Sequence, residues 1–138
     1  MQIYTPDQTT GIKLPLYMTS IEAGFPSPAD DYIEGSLDLN EHLVKHPAAT
    51  FFVRVSGESM IKAGIFPGDI LIVDRSLEAV DKKIVIAVVD GELTVKRLRI
   101  RSGIPSLEPE NDRYAPIVIK PDMAFEIWGV VTNVIHKV

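Results

Sequence analysis

The chain has 138 residues, 46% of them hydrophobic and 24% charged, with no cysteine and a formal net charge of −5. At roughly 100–200 residues per domain this is one domain with room for a short arm, and the absence of cysteine excludes a disulfide scaffold, a cysteine nucleophile and any thiolate metal site. No apolar run reaches the roughly 18 residues needed to span a bilayer. The opening Met1-Gln2-Ile3-Tyr4-Thr5-Pro6-Asp7 lacks the basic start and apolar core of a signal peptide, and the acidic balance argues against a surface built mainly to hold phosphates. The expectation is a soluble cytoplasmic protein.

Residues 1–37 hold four of the ten prolines (Pro6, Pro15, Pro26 and Pro28) and few consecutive apolar positions. They read as an extended N-terminal arm, leaving residues 38–138 as the folded domain. Asp38-Leu39-Asn40-Glu41 supplies an N-cap with an acidic residue three positions on, and Pro47 sets the limit on the C-terminal side. One short helix is expected between them.

From Thr50 onward the pattern is β. Phe51-Phe52-Val53-Arg54-Val55 and Ile70-Leu71-Ile72-Val73 are rich in aromatic and β-branched residues. Lys83–Val89, then Asp90-Gly91, then Glu92–Leu98 predicts a hairpin, because a type I′ turn requires positive φ at both turn residues. Phe125–Val131, continuing through Val134-Ile135, supplies a last long strand. The fold class is therefore mostly β: a compact β domain with one short helix.

The second hairpin strand carries an anomaly. Alternation puts Arg97, Arg99 and Arg101 on one face and Lys96 on the other with Thr94, Leu98 and Ile100. A two-residue turn also sets Lys96 opposite Val85. A lysine held among apolar neighbours has its charged form disfavoured and can serve as a general base. The plainer reading is a strand-end lysine that snorkels to solvent.

Ser56-Gly57-Glu58-Ser59-Met60 comes after a strand and precedes the loop Ala63-Gly64-Ile65-Phe66-Pro67-Gly68-Asp69. A serine there can present its hydroxyl while neighbouring N–H groups face a developing oxyanion. Gly57-Glu58-Ser59 begins a nucleophile elbow, but Ile61 stands where the second glycine belongs and no βαβ pattern is present. Ser59-Met60-Ile61-Lys62 matches the S-x-x-K of penicillin-binding enzymes, yet neither S-D-N nor K-T-G occurs. The three histidines, His42, His46 and His136, sit in no triad or metal motif, so no metal or cofactor is expected. A Ser59–Lys96 dyad remains.

Ser56-Gly57-Glu58-Ser59-Met60, Gly68–Asp74, Asp90–Leu98, Leu107-Glu108-Pro109-Glu110-Asn111 and Gly129-Val130-Val131, in that order, resemble the LexA/UmuD family of self-cleaving serine peptidases. The likeness runs from about Leu14 to the C-terminus. It implies a LexA/signal-peptidase-like β domain, with Ser59 as nucleophile and Lys96 as its base; the backbone N–H groups of Ser59 and Met60 are then the expected oxyanion donors. The scissile bond maps to Ala23–Gly24, flanked by the UmuD-like Phe25-Pro26-Ser27-Pro28. Ala23 departs from the cysteine of UmuD and is the LexA-like choice.

Only 23 residues precede Gly24, too few for the helix-turn-helix of a LexA-type repressor, and Pro6, Gly11 and Pro15 interrupt them. No direct sequence-specific DNA binding is expected. The resemblance to the UmuD branch implies a homodimer in SOS mutagenesis, cleavage stimulated by RecA filaments on single-stranded DNA, and service to an error-prone UmuC-type translesion polymerase. The alternatives are a non-catalytic β-rich interaction module, a LexA-like regulator without its DNA-binding domain, and a trans-acting peptidase of the signal-peptidase type.

Overall fold

The computed structural model describes residues 2–7, 11–17 and 33–138. They form ten strands and one α-helix, in two compact units: Met1–Pro6 with His46–Val138, and Asp7–Lys45. The mostly β class expected from the sequence is the one observed.

The larger unit is built on an eight-stranded antiparallel sheet. Its strands are β1 (Gln2–Tyr4), β4 (Thr50–Arg54), β5 (Ile70–Asp74), β6 (Ile84–Val89), β7 (Glu92–Arg101), β8 (Ile104–Glu108), β9 (Ile117–Val118) and β10 (Phe125–Ile135). Their order across the sheet is β1-β4-β5-β10-β6-β7-β8-β9. The β6–β7 hairpin turns at Asp90 and Gly91, with φ of 48° and 83°, as a type I′ turn demands. Val89 therefore pairs with Glu92, and the register carries Val85 to Lys96.

The next hairpin, β7–β8, reuses this geometry with a less obvious pair, Ser102 (φ 53°) and Gly103 (φ 76°). Pro105 inside β8 lacks a donor, which usually argues against a strand. Its carbonyl accepts the N–H of Ile119, so its nitrogen faces the β9 side, where ladder pairing begins only at Ser106. The missing N–H falls where no ladder bond is required.

Two apolar clusters fill the larger unit. Phe51, Val53, Met60, Leu71, Val73, Ile86 and Val95 form one, and Val85, Ala87, Leu98, Leu107 and Val130 the other. Neighbouring residues of β6 serve different clusters, Ile86 the first and Val85 and Ala87 the second, as the period of two requires. On β7 the three arginines that share a face all bond acids: Arg97 with Glu110, Arg99 with Asp81 and Arg101 with Glu108. The buried carboxylates before and at the end of β5 each meet a histidine, Asp69 with His136 and Asp74 with His46. Burial pushes the Asp74 carboxyl up, but hydrogen bonds from Ser76 and His46 outweigh it and hold the group below its ordinary range.

The second unit contains β2 (Lys13–Tyr17), β3 (Ile33–Asp38) and α1 (Leu39–Leu43). β2 and β3 pair antiparallel, from Lys13 with Asp38 to Tyr17 with Ile33. The Asp38 side chain caps α1 by accepting from the N–H groups of Asn40 and Glu41, as its position in the sequence predicts. Among the described residues before Asp38, the regular structure is β1, β2 and most of β3. The expected scissile bond, Ala23–Gly24, lies outside the described residues.

β10 crosses β5 unusually closely. Its register slips between Ile127 and Gly129 where it pairs with β6, and a Cβ at Gly129 would sit 2.7 Å from a Val73 methyl carbon and 3.1 Å from the Asp74 carbonyl oxygen. A methyl group there forces two central strands apart. Gly129→Ala is expected to destabilise the chain by about 1–3 kcal/mol in urea unfolding. An unchanged unfolding midpoint would contradict the close approach.

Candidate active site

The Ser59 segment is shaped by one glycine and one anchor. The backbone leaves β4 through Val55, whose N–H donates to the Asp69 carbonyl and whose carbonyl accepts from Gly68. Gly57 then takes φ of 82°, a left-handed turn that leaves Ser56, Gly57 and Glu58 exposed. Immediately after Ser59, Met60 is buried in the first cluster at 1% exposure. A 3-10 turn over Ile61–Ala63 comes next, closed by Gly64 in the left-handed region. Ser59 therefore stands half-buried between a solvated turn and a fixed side chain.

Lys96 meets it from β7. Although it is a lysine, it is only 8% exposed, so it does not snorkel. Its Nζ lies 2.9 Å from Ser59 Oγ, 2.8 Å from Thr94 Oγ1 and 3.1 Å from the Val95 carbonyl oxygen. Among the described residues no carboxylate forms an ion pair with it. Burial alone therefore acts on its charge, and holds the ammonium group below the ordinary lysine range.

The three partners suit a neutral amine. Such a group has two N–H bonds and one lone pair. The Val95 carbonyl can only accept, and the Thr94 hydroxyl oxygen can accept the second N–H. The lone pair then faces Ser59, whose O–H is free to donate. The protonated amine fills the same places with three donors and has nothing left to receive a proton.

The two site residues singled out from the sequence are thus brought together across 37 positions. The sequence marks Thr94 only as a face-mate of Lys96; the spacing of two is the signal that brings its hydroxyl to Nζ. Asn111 was missed as a site residue. It is 8% exposed, and its side-chain amide donates to the Glu58 carbonyl at 2.8 Å. Ser59, Thr94, Lys96, Leu93 and Tyr114 line one shallow cleft. His46 and His136 bond Asp74 and Asp69 instead. No group of three His, Asp or Glu side chains suited to a metal occurs among the described residues, nor does a helix long and apolar enough to cross a membrane.

The depressed titration of Lys96 makes stability depend on pH. Between the folded and unfolded titration ranges the unfolded chain holds more protons, so stability rises with pH. Lys96→Met keeps the volume and removes the charge. It is expected to be more stable than wild type at neutral pH, with the gap shrinking as pH rises toward the ordinary lysine range. A gap of the same size at every pH, measured by urea unfolding, would contradict the effect of burial on Lys96.

The family model described as Peptidase S24-like matches residues 15–132. Protein ImpA of Salmonella typhimurium is 51% identical over 123 residues, covering 89% of this chain and 83% of the relative. Protein MucA of Escherichia coli is 50% identical over 121 residues, covering 87% and 82%. Protein SamA of Salmonella typhimurium strain LT2 is 46% identical over 132 residues, covering 96% and 89%. With the family model spanning most of the chain and relatives near half identity over nearly its full length, this chain belongs to the LexA/UmuD family of S24-like peptidases.

Proposed function

We propose that this chain is a UmuD-like SOS mutagenesis protein, a serine endopeptidase that cleaves its own Ala23–Gly24 bond with Ser59 and Lys96. The observation that carries the reading is the 2.9 Å approach of a buried, carboxylate-free Lys96 Nζ to Ser59 Oγ. Residues 1–37 are the arm that is cut and residues 38–138 the domain that cuts.

In the proposed reaction the Lys96 lone pair takes the Ser59 proton as Oγ attacks the Ala23 carbonyl carbon. The oxyanion is held by the N–H groups of Ser59 and Met60, which have no hydrogen-bond partner among the described residues. The Lys96 ammonium then gives its proton to the Gly24 nitrogen, the C–N bond breaks, and residues 1–23 remain on Ser59 as an ester. Lys96 next deprotonates a water, which hydrolyses the ester and restores the serine hydroxyl. Small side chains at Ala23 and Gly24 suit close backbone approach to such a site.

The family assignment supports the cellular half of the proposal. The protein acts as a homodimer in the cytoplasm, its cleavage is stimulated by RecA filaments on single-stranded DNA, and the trimmed form serves an error-prone UmuC-type polymerase in translesion synthesis. The stimulating partner works by favouring the docked arm, since intramolecular attack gains its high effective concentration only while the bond lies at Ser59.

Intact mass after incubation of purified protein tests the chemistry. A product of residues 24–138 is expected, absent in Ser59→Ala and Lys96→Ala. Because the neutral amine is the active form, the rate should rise about tenfold per pH unit below the Lys96 midpoint and level off above it. A pH-independent rate, or cleavage that survives Lys96→Ala, would overturn Lys96 as the base. A chain that stays whole at alkaline pH and with RecA filaments would leave the non-catalytic interaction module as the better reading.

A further inference from the structure

A segment about fifty residues downstream of Ser59 grips the backbone on both sides of it. The Glu110 N–H donates to the Ser59 carbonyl at 2.8 Å, and the Glu110 carbonyl accepts from the Lys62 N–H at 2.9 Å. Asn111 Nδ2 donates to the Glu58 carbonyl at 2.8 Å. The Asn111 side chain is used at both ends, because its Oδ1 accepts the Arg113 N–H. Glu58, Ser59 and Lys62 are thereby fixed to two consecutive residues.

That segment is itself fastened to the strand that carries the lysine. Arg97, the residue after Lys96 and on the opposite face of β7, donates through Nε to Glu110 Oε1. Its Nη1 donates to the Lys82 carbonyl at 2.7 Å, tying the same guanidinium to the turn just before β6. One short path therefore links the two reacting groups: Lys96 to Arg97 through the chain, Arg97 to Glu110 through an ion pair, and Glu110 to Ser59 through a backbone hydrogen bond. Arg97 would point to solvent on an ordinary outer face; here it bridges Glu110 and the Lys82 carbonyl.

We infer that Glu110 and Asn111, locked to β7 by the Arg97–Glu110 pair, are positioning residues that hold Ser59 at the Lys96 amine. This rests on the proposed Ser59–Lys96 dyad, deepens it, and predicts which remote changes impair it. None of the three side chains touches the scissile bond in this scheme. Their effect is on distance, and misplacement of about 1 Å can cost up to about a hundredfold in rate.

The absence of native cysteine gives a test that needs no cleavage. In a Ser59→Cys background the introduced thiol is the sole cysteine for iodoacetamide, and its alkylation–pH profile reads its contact with Lys96, because only a thiol within reach of the neutral amine can hand it a proton and persist as a thiolate–ammonium pair. In that background the profile should lie at lower pH than that of a free cysteine, and Asn111→Ala or Glu110→Ala should each move it back up. Glu110→Gln keeps an oxygen acceptor for Arg97 Nε and should stay close to its parent. With Ser59 intact, the same two alanine variants should lower the plateau cleavage rate about ten- to a hundredfold while remaining folded. If Asn111→Ala does not fold, Glu110→Ala carries the test alone, since the Glu110 side chain is partly exposed.

The outcomes separate the two readings. A profile like free cysteine in the Ser59→Cys parent means that residue 59 is not held at Lys96, and overturns both. A low profile in the parent that neither alanine variant moves overturns the positioning role and leaves the dyad standing.

Discussion

The site depends on one constraint: a lysine is kept out of water without being given a carboxylate. A buried ammonium group normally requires an opposite charge. Lys96 instead has a hydroxyl, a carbonyl and a second hydroxyl around its Nζ. Those partners satisfy a neutral amine completely and compensate a charged one only weakly. Burial is thus the source of basicity, and β7 supplies it by placing Lys96 in register with Val85 and two residues before the buried Leu98.

The surrounding architecture serves that placement. The Asp90-Gly91 turn sets the register, and a slip of one residue would send Lys96 to the face now held by the arginines. Met60 anchors the nucleophile segment into the first apolar cluster, so Ser59 cannot drift outward along its loop. The remaining links are polar and come from Glu110 and Asn111. Basicity and alignment therefore have separate sources, the first apolar and the second hydrogen-bonded.

Much of this was legible in the sequence because it is local. The turn residues, the alternation of β7 and the Asp38 cap each depend on a few neighbouring positions. Those positions were enough to give the Lys96–Val85 pairing and the helix start. The segment after β7 was harder to read. Ser102-Gly103 is a weaker turn signal than Asp90-Gly91, and Pro105 disguises β8, since only its place beside a two-residue partner strand makes it harmless. Asn111 was hidden for a different reason: its partner, Glu58, is 53 positions away and offers a backbone carbonyl, which leaves no trace in side-chain pattern. His46 with Asp74 and His136 with Asp69 are side-chain pairs, but 28 and 67 positions separate their members, so only the tertiary fold brings them together.

The central claim is that folding makes Lys96 a base, and it can be measured at the atom concerned. In protein labelled with ¹³C at lysine Cε, the resonance lost in Lys96→Met identifies Lys96, and its chemical shift is followed against pH in the folded chain and in denaturant. The folded-state midpoint is expected to lie clearly below the unfolded one, as desolvation requires. Coincident midpoints would mean that the ammonium group is as well solvated in the fold as out of it, and that Lys96 has no means of taking the proton from Ser59.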